Sequence, residues 1–418
     1  MPFRIALSGL NAASSDLKVT GNNIANSGTT GFKQSRAEFS DVFATSFGGT
    51  TDTATGNGVR VSTVAQQFTQ GSIDFTQKAL DLAISGQGFF VTKDDSGQNY
   101  TRAGNFHVSS DGTVVNNINQ RLQVFPLVGG NVTPPNFNTG VLSDLQLSTT
   151  DGPPSATTNI DAGLNLNASN TPPATTPFNP ADATSYNSST SVVVYDSLGA
   201  QHTASVYYAK TTTSNQWDSY MYLDGNNITD TTATPATPTP ITLTFNGDGT
   251  IQSPTQINYA AVPTNMLATG ANPLSLSFDY SNTTQFGSVF SVNSLSQNGF
   301  TSGRLSGIDV DDEGVVFARF TNGQSSALGK VALANFPNPQ GLRQLGDTSW
   351  SETFDSGTLV LGEAGTGSLG LMQSGALEAS NVDIAASLVG LITAQRNFQA
   401  NAQVISTADT ITQTIINI

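Results

Sequence analysis

The sequence predicts an α+β fold in which long terminal α-helices form a coiled-coil-like core domain beside two mainly antiparallel β domains, the outer inserted into the inner. Three observations predict it. Both ends carry apolar residues at alternating three- and four-residue steps, the spacing of a helical seam. The interior alternates short apolar runs with Gly, Asp, Asn and Pro turns, the spacing of strands. Composition also changes near Thr149-Thr150-Asp151-Gly152-Pro153-Pro154, and strand character returns beyond Phe286.

The first helix is drawn by Phe3, Ala6, Leu10, Ala13, Leu17 and Ile24, with a polar slot at Thr20. Between Phe3 and Ser27 the charges are only Arg4, Asp16 and Lys18, whereas a water-facing helix carries far more. Asn22, Asn23 and Asn26 are expected to end the helix and to bond neighbouring backbone where a charge would be costly. Phe32 is expected to plug an apolar pocket in the connector. Phe39, Val42, Phe43 and Phe47 suggest a short helical or extended patch before a loose stretch from Gly48 to Gly58.

The last helix repeats the design with Ile384, Leu388, Leu391, Gln395, Phe398, Ala402, Ile405, Thr412 and Ile416. Asp409 interrupts it, and Ala408, Ile411, Ile415 and Ile418 continue the stripe from a shifted origin. Only Asp383, Arg396 and Asp409 are charged from Asp383 onward. Such helices are marginal alone in water, so both ends are expected to be disordered in the free subunit and to fold during assembly.

Between the helices, Leu80, Leu82 and Ile84 lead into Gly88-Phe89-Phe90-Val91, and turns at Asp94–Gly97 and Ser110–Gly112 separate further strands up to Leu122–Leu127. In the middle block, strands are expected at Val192–Tyr195, Ala204–Tyr208, Tyr220–Leu223 and Ile241–Phe245, with a hairpin turn at Asn246-Gly247-Asp248-Gly249. Val315–Ala318 and Val331–Ala334 resume the first domain. The expected organisation is a terminal helical core (1–28 and 375–418), a connector (29–70 and 361–374), an inner β domain (71–145 and 286–360) and an outer inserted β domain (146–285).

Composition narrows the function. Over 418 residues, charged residues make up 11%, against about 25% for typical domains. The net charge of −15 argues against nucleic acid, because no basic face could neutralise phosphates. With no cysteine, disulfides, thiolate metal sites and a cysteine nucleophile are excluded. No apolar run approaches the roughly 20 residues of a spanning helix. The opening residues lack a basic segment followed by a continuous apolar core, so no cleavable Sec-type signal and no membrane insertion are expected.

Apparent chemical motifs dissolve on inspection. Gly365, Gly367 and Gly370 spell a dinucleotide fingerprint, but Leu371-Met372-Gln373-Ser374-Gly375 is a poor helix start. The run Asp309–Gly314 starts like a calcium loop, yet Phe320 stands where its bidentate carboxylate belongs, so a β-turn is the better reading. His107 and His202 are the only histidines, too few for a convincing zinc site. No catalytic residue, metal or cofactor is assigned.

The motifs themselves carry a resemblance. Ser8-Gly9-Leu10-Asn11-Ala12-Ala13, Gly21-Asn22-Asn23-Ile24-Ala25-Asn26 and Thr30-Gly31-Phe32-Lys33 resemble the N-terminal signature of bacterial flagellar rod and hook proteins. Ser374–Asp383 and Gln395–Gln403 are similar to the C-terminal signature of that family, and Gly88-Phe89-Phe90 and Tyr100–Phe106 to its shared β domain. Length, the inserted middle domain and the runs Gly299–Leu305 and Asn335–Leu342 point to the hook type rather than the shorter rod types. The resemblance implies a non-enzymatic subunit of a hollow, bendable helical tube that carries torque from rod to filament. It also implies self-assembly through Leu10, Leu17, Asn22, Asn23, Ile24, Asn26, Leu388, Leu391, Phe398, Ile405, Ile411 and Ile415, with Phe32 and Lys33 in the connector. The implied partners are itself, the distal rod, hook cap and hook–filament junction proteins, and the flagellar type III export apparatus. The implied location is extracellular. A distal rod subunit would share the same ends; a secreted adhesin would explain the β domains but leave both terminal signatures unused.

Overall fold

The computed structural model describes residues 2–42, 56–129, 134–147, 151–229, 239–259, 261–268 and 270–416; Phe43, Phe47, Gly48, Thr149, Thr150 and Ile418 of the expectations above lie outside them. The architecture is α+β: two helices, α1 (Pro2–Ala25) and α2 (Ile384–Ile416), bracket a mostly β chain. After α1 come strands β1 (Ser35–Asp41) and β2 (Val59–Gln66), an antiparallel pair docked on α1. The patch around Phe39 is therefore extended rather than helical.

Two compact units account for the chain. One comprises Met1–Thr149, Ser306–Arg319 and Ser325–Ile418; the other comprises Thr150–Leu305 and Phe320–Gln324. In the first, β3 (Ile73–Phe75) pairs with Ala376–Glu378, and β4 (Leu82–Ser85) pairs with Leu371–Ser374. Next, β5 (Phe89–Asp94) and β6 (Gly97–Thr101) form a hairpin inside a large sheet. Strands from later in the sequence flank this early block on both sides: Ser325–Val331 pairs with Arg121–Val128, and Ser349–Ser351 pairs with β6.

Alternation along β5 explains the Phe89-Phe90-Val91 run. Successive side chains point to opposite faces, so Phe90 joins a core with Leu82, Leu122 and Leu333. Phe89 and Val91 enter a second core with Tyr100, Phe336 and Trp350. Both faces of β5 are covered.

The second unit holds one antiparallel sheet, Ser188–Tyr195, Gln201–Lys210, Gln216–Leu223, Ile241–Phe245 and Ile251–Ser253. Every strand expected in this block is present, and Asn246–Gly249 makes the last turn. Its second sheet is built on Asn159–Asn167 and is mixed. This strand pairs antiparallel with Ser291–Gln297 but parallel with Ser277–Asp279 and Thr284–Phe286. Trp217, Met221, Leu164 and Phe278 fill the core of the unit, and the Trp217 indole donates to Gln285 Oε1 at 2.8 Å.

The apparent motifs settle as turns. Gly365, with φ +76°, donates its amide to the Gly370 carbonyl, and a strand rather than a helix follows. Asp311 accepts the amides of Glu313 and Val315 in a β-turn. No helix of the described residues is long and apolar enough to cross a membrane.

Candidate functional site

The two helices pack on each other, and their closest approaches fix the direction. A Cβ on Gly9 would meet the Asn401 side chain at 2.4 Å, and one on Gly390 would lie 3.9 Å from Thr20 Cγ2. The helices therefore run antiparallel, and at Gly9 only glycine leaves room for the Asn401 side chain. Asp383 caps α2 by accepting the Ala386 amide at 3.0 Å, which places one of the rare charges against the positive end of the helix.

The seam on α2 is Ser387, Leu391, Ala394, Phe398, Asn401, Ile405 and Ala408, all buried or half-buried at alternating four- and three-residue steps. Leu391, Phe398 and Ile405 belong to the expected stripe. Ala408 belongs to its expected continuation, and Ala402 of that stripe is half-buried beside the seam, whereas Ile384, Gln395 and Thr412 are exposed and Leu388 is 45% exposed. Small side chains at Ser387, Ala394 and Ala408 let the helices close, which turns Leu388, Val389, Ile392, Val404 and Ile411 outward. Ile415 lies within α2. On α1, Leu10, Leu17 and Ile24 are half-buried, Ala6 and Ala13 are buried, and Phe3 is exposed.

The asparagines tie α1 to the segment that follows it. Buried Asn23 donates Nδ2 to the Ser35 carbonyl at 2.7 Å and accepts the Ser35 amide on Oδ1 at 2.9 Å. Asn26 donates to both the carbonyl and the side-chain oxygen of Asn22. Phe32 is buried, on the wall of a cavity of about 450 Å³ shared with Asn22, Asn26, Asn105 and Trp350.

Lys33 sits in a buried charge cluster. It is 1% exposed, and its ammonium donates to Glu378 Oε1 at 2.6 Å and to the Thr69 carbonyl at 2.8 Å. Glu378, wholly buried, also accepts the Gly71 amide at 2.9 Å and pairs with Arg102 through Oε2 at 3.1 Å. Arg102 reaches the Gly86 carbonyl at 2.9 Å and lies over the Phe89 ring at 5.4 Å. Burial pushes the Lys33 ammonium below its ordinary value, Glu378 pulls it back up, and Arg102 lowers it further. Burial likewise lowers Arg102, against the pull of Glu378.

Each charge comes from a different signature stretch: Thr30–Lys33, Tyr100–Phe106 and Ser374–Asp383. Sequence reasoning quoted those stretches but assigned no role to Arg102 or Glu378. A signal was present, since Glu378 is the sole acid between Ala364 and Val382. Around the cluster, the Gly31 amide donates to the Glu378 carbonyl. Asn381 accepts the Gln34 amide and donates to Gln67 and Thr69. A buried cluster of this kind, drawn from three distant stretches, holds chain segments together.

Comparisons with known proteins agree along the chain. Residues 3–33 match the flagella basal body rod protein family, and residues 373–418 match the flagellar basal body rod FlgEFG protein C-terminal family. Residues 83–152 match the flagellar hook protein FlgE/F/G D1 domain, and residues 165–300 match the flagellar basal body protein FlaE D2 domain. The flagellar hook protein FlgE of Escherichia coli K12 is 40% identical, covering 100% of both chains. That of Rhizobium meliloti is 34% identical, over 100% of this chain and 98% of the relative. That of Borreliella burgdorferi is 33% identical over 99% and 98%. The crystal structure of Helicobacter pylori flagellar hook protein FlgE2 shares the fold at a TM-score of 0.53 and 16% identity. That likeness covers 73% of this chain and all of the other.

Proposed function

The chain belongs to the flagellar hook protein family, and from that premise we propose how its geometry serves a hook. It is a structural subunit, not an enzyme, and it polymerises with its own copies in the hook of the basal body–hook complex. The polymer is a hollow, bendable tube that transmits torque from rod to filament as a universal joint.

One observation carries the reading. The seam between α1 and α2 is closed, while Leu388, Ile392 and Ile411 remain 45%, 49% and 54% exposed on a helix with almost no charge. Neighbouring copies cover that face, so Leu10, Leu17, Ile24, Leu391, Phe398 and Ile405 close the helix pair while Leu388 and Ile411 join one pair to the next, and Ile415 takes part in self-assembly with them. Asn22, Asn23 and Asn26 fix the root of α1, and Phe32 and Lys33 anchor the connector. In the assembled tube these helices make the coiled-coil-like inner layer, and 146–285, extended towards Leu305 because Ser291–Gln297 pairs with Asn159–Asn167, forms an outer domain inserted into an inner β domain. Weakly charged β surfaces suit sliding between near-equal contacts, because few ion pairs lock one register. The distal rod, hook cap and hook–filament junction proteins adjoin the tube. The subunit reaches the cell exterior unfolded, through the flagellar type III export apparatus.

Deleting the gene and restoring it, with electron microscopy of isolated basal bodies, tests the assignment. Rods that persist without hook or filament are expected. Rods shortened at their distal end would favour a rod subunit instead.

A further inference from the structure

The cluster of Lys33, Arg102 and Glu378 is unbalanced, with two cations to one anion, and Arg102 Nε has no hydrogen-bond partner among the described residues. Arg102 is resident in the β body, held by the Gly86 carbonyl and the Phe89 ring. Lys33 arrives from the N-terminal end, eight residues beyond α1, and Glu378 from the C-terminal end, six residues before α2. We propose that this cluster is an order latch: the segment after α1 takes its buried place only when the segment before α2 supplies Glu378.

The argument is electrostatic. Without Glu378, seating Lys33 buries a second cation beside Arg102 with nothing to neutralise either, and an uncompensated buried charge is strongly unfavourable. With Glu378 seated first, Arg102 and Glu378 form a neutral pair, and its carboxylate still has Oε1 to offer Lys33 and the Gly71 amide. Glu378 is thus accepted without Lys33, but Lys33 is not accepted without Glu378. Hydrogen bonds enforce the same order: the Gly31 amide ends on the Glu378 carbonyl, and the Gln34 amide on Asn381. The apolar helix therefore cannot be seated by its own end of the chain alone. The two helix roots dock together.

Three ordinary stabilising contacts would predict similar losses for removal of either partner. The latch predicts asymmetry. Amide exchange on the full-length subunit in solution, read at Gly31 and Gln34, separates the two and does not require tube formation. Glu378→Gln should speed exchange at both amides by about ten-fold or more, while Lys33→Met should stay within about three-fold of the natural chain. The double variant K33M/E378Q should recover protection relative to E378Q, because one of the stranded cations is gone. Should E378Q prove insoluble, recovery of soluble, protected subunit in the double variant supports the latch. Equal losses in the two single variants, a double variant no better than E378Q, or unprotected Gly31 and Gln34 in the natural chain would each overturn it.

Discussion

Asn23 holds both backbone groups of Ser35, and it does so inside the root of a helix where few charges are tolerated. Asn23→Ala leaves a partly buried amide and carbonyl unpaired, at a cost of about 1–3 kcal/mol. The expected result is a lower urea midpoint with faster exchange at the Ser35 amide. Asp16 behaves oppositely. Burial raises its carboxyl above the ordinary 3.8, so the unfolded chain ionises first as pH rises, and stability falls through that window. Asp16→Asn should be more stable than the natural chain at pH 7 and lose that advantage below 3.8, as thermal melts across pH would show. The asparagines were legible in the sequence because a polar, uncharged side chain at a helix end has few other uses. Arg102 and Glu378 were not, since a charge reads as solvent-facing until the fold brings its partner from 276 residues away.

At the scale of elements, the close approach of β-body segments is as exacting as the helix seam. A Cβ on Gly71 would stand 2.0 Å from the Ala379 carbonyl oxygen. Gly71→Ala should push the chain before β3 away from the backbone just after Glu378 and cost about 1–3 kcal/mol, an overpacking penalty readable in the denaturation midpoint. Helix existence and strand positions were readable because their periods differ, 3.6 against 2. The face of α2 was harder. Leu391, Phe398 and Ile405 belong to two overlapping seams, one continued by Leu388 and Gln395, the other by Ser387, Ala394 and Asn401. Apolar spacing favours the first; the chain closes the second, because small residues permit the tighter approach. The mixed sheet around Asn159–Asn167 was missed for a related reason, since strand direction is set by partners that pair over a hundred residues away.

For the whole molecule, the division into one unit holding both ends and one drawn mainly from the middle makes a separable prediction. A chain lacking 151–304 should still polymerise while its tubes change curvature under electron microscopy; failure to assemble would mean that the second unit supplies essential contacts. The central claim is that copies cover the outward face of α2. Leu388→Asp tests it most directly, because Leu388 is 45% exposed in the single chain and the change leaves the subunit's own seam intact. The measurement is pelleting and electron microscopy of polymerised subunit beside a thermal melt of the same protein. The account predicts a melt within about 0.5 kcal/mol of the natural chain, as for exposed positions, and no tubes, because assembly would bury an unpaired carboxylate. Tubes of normal number and form from Leu388→Asp would contradict it.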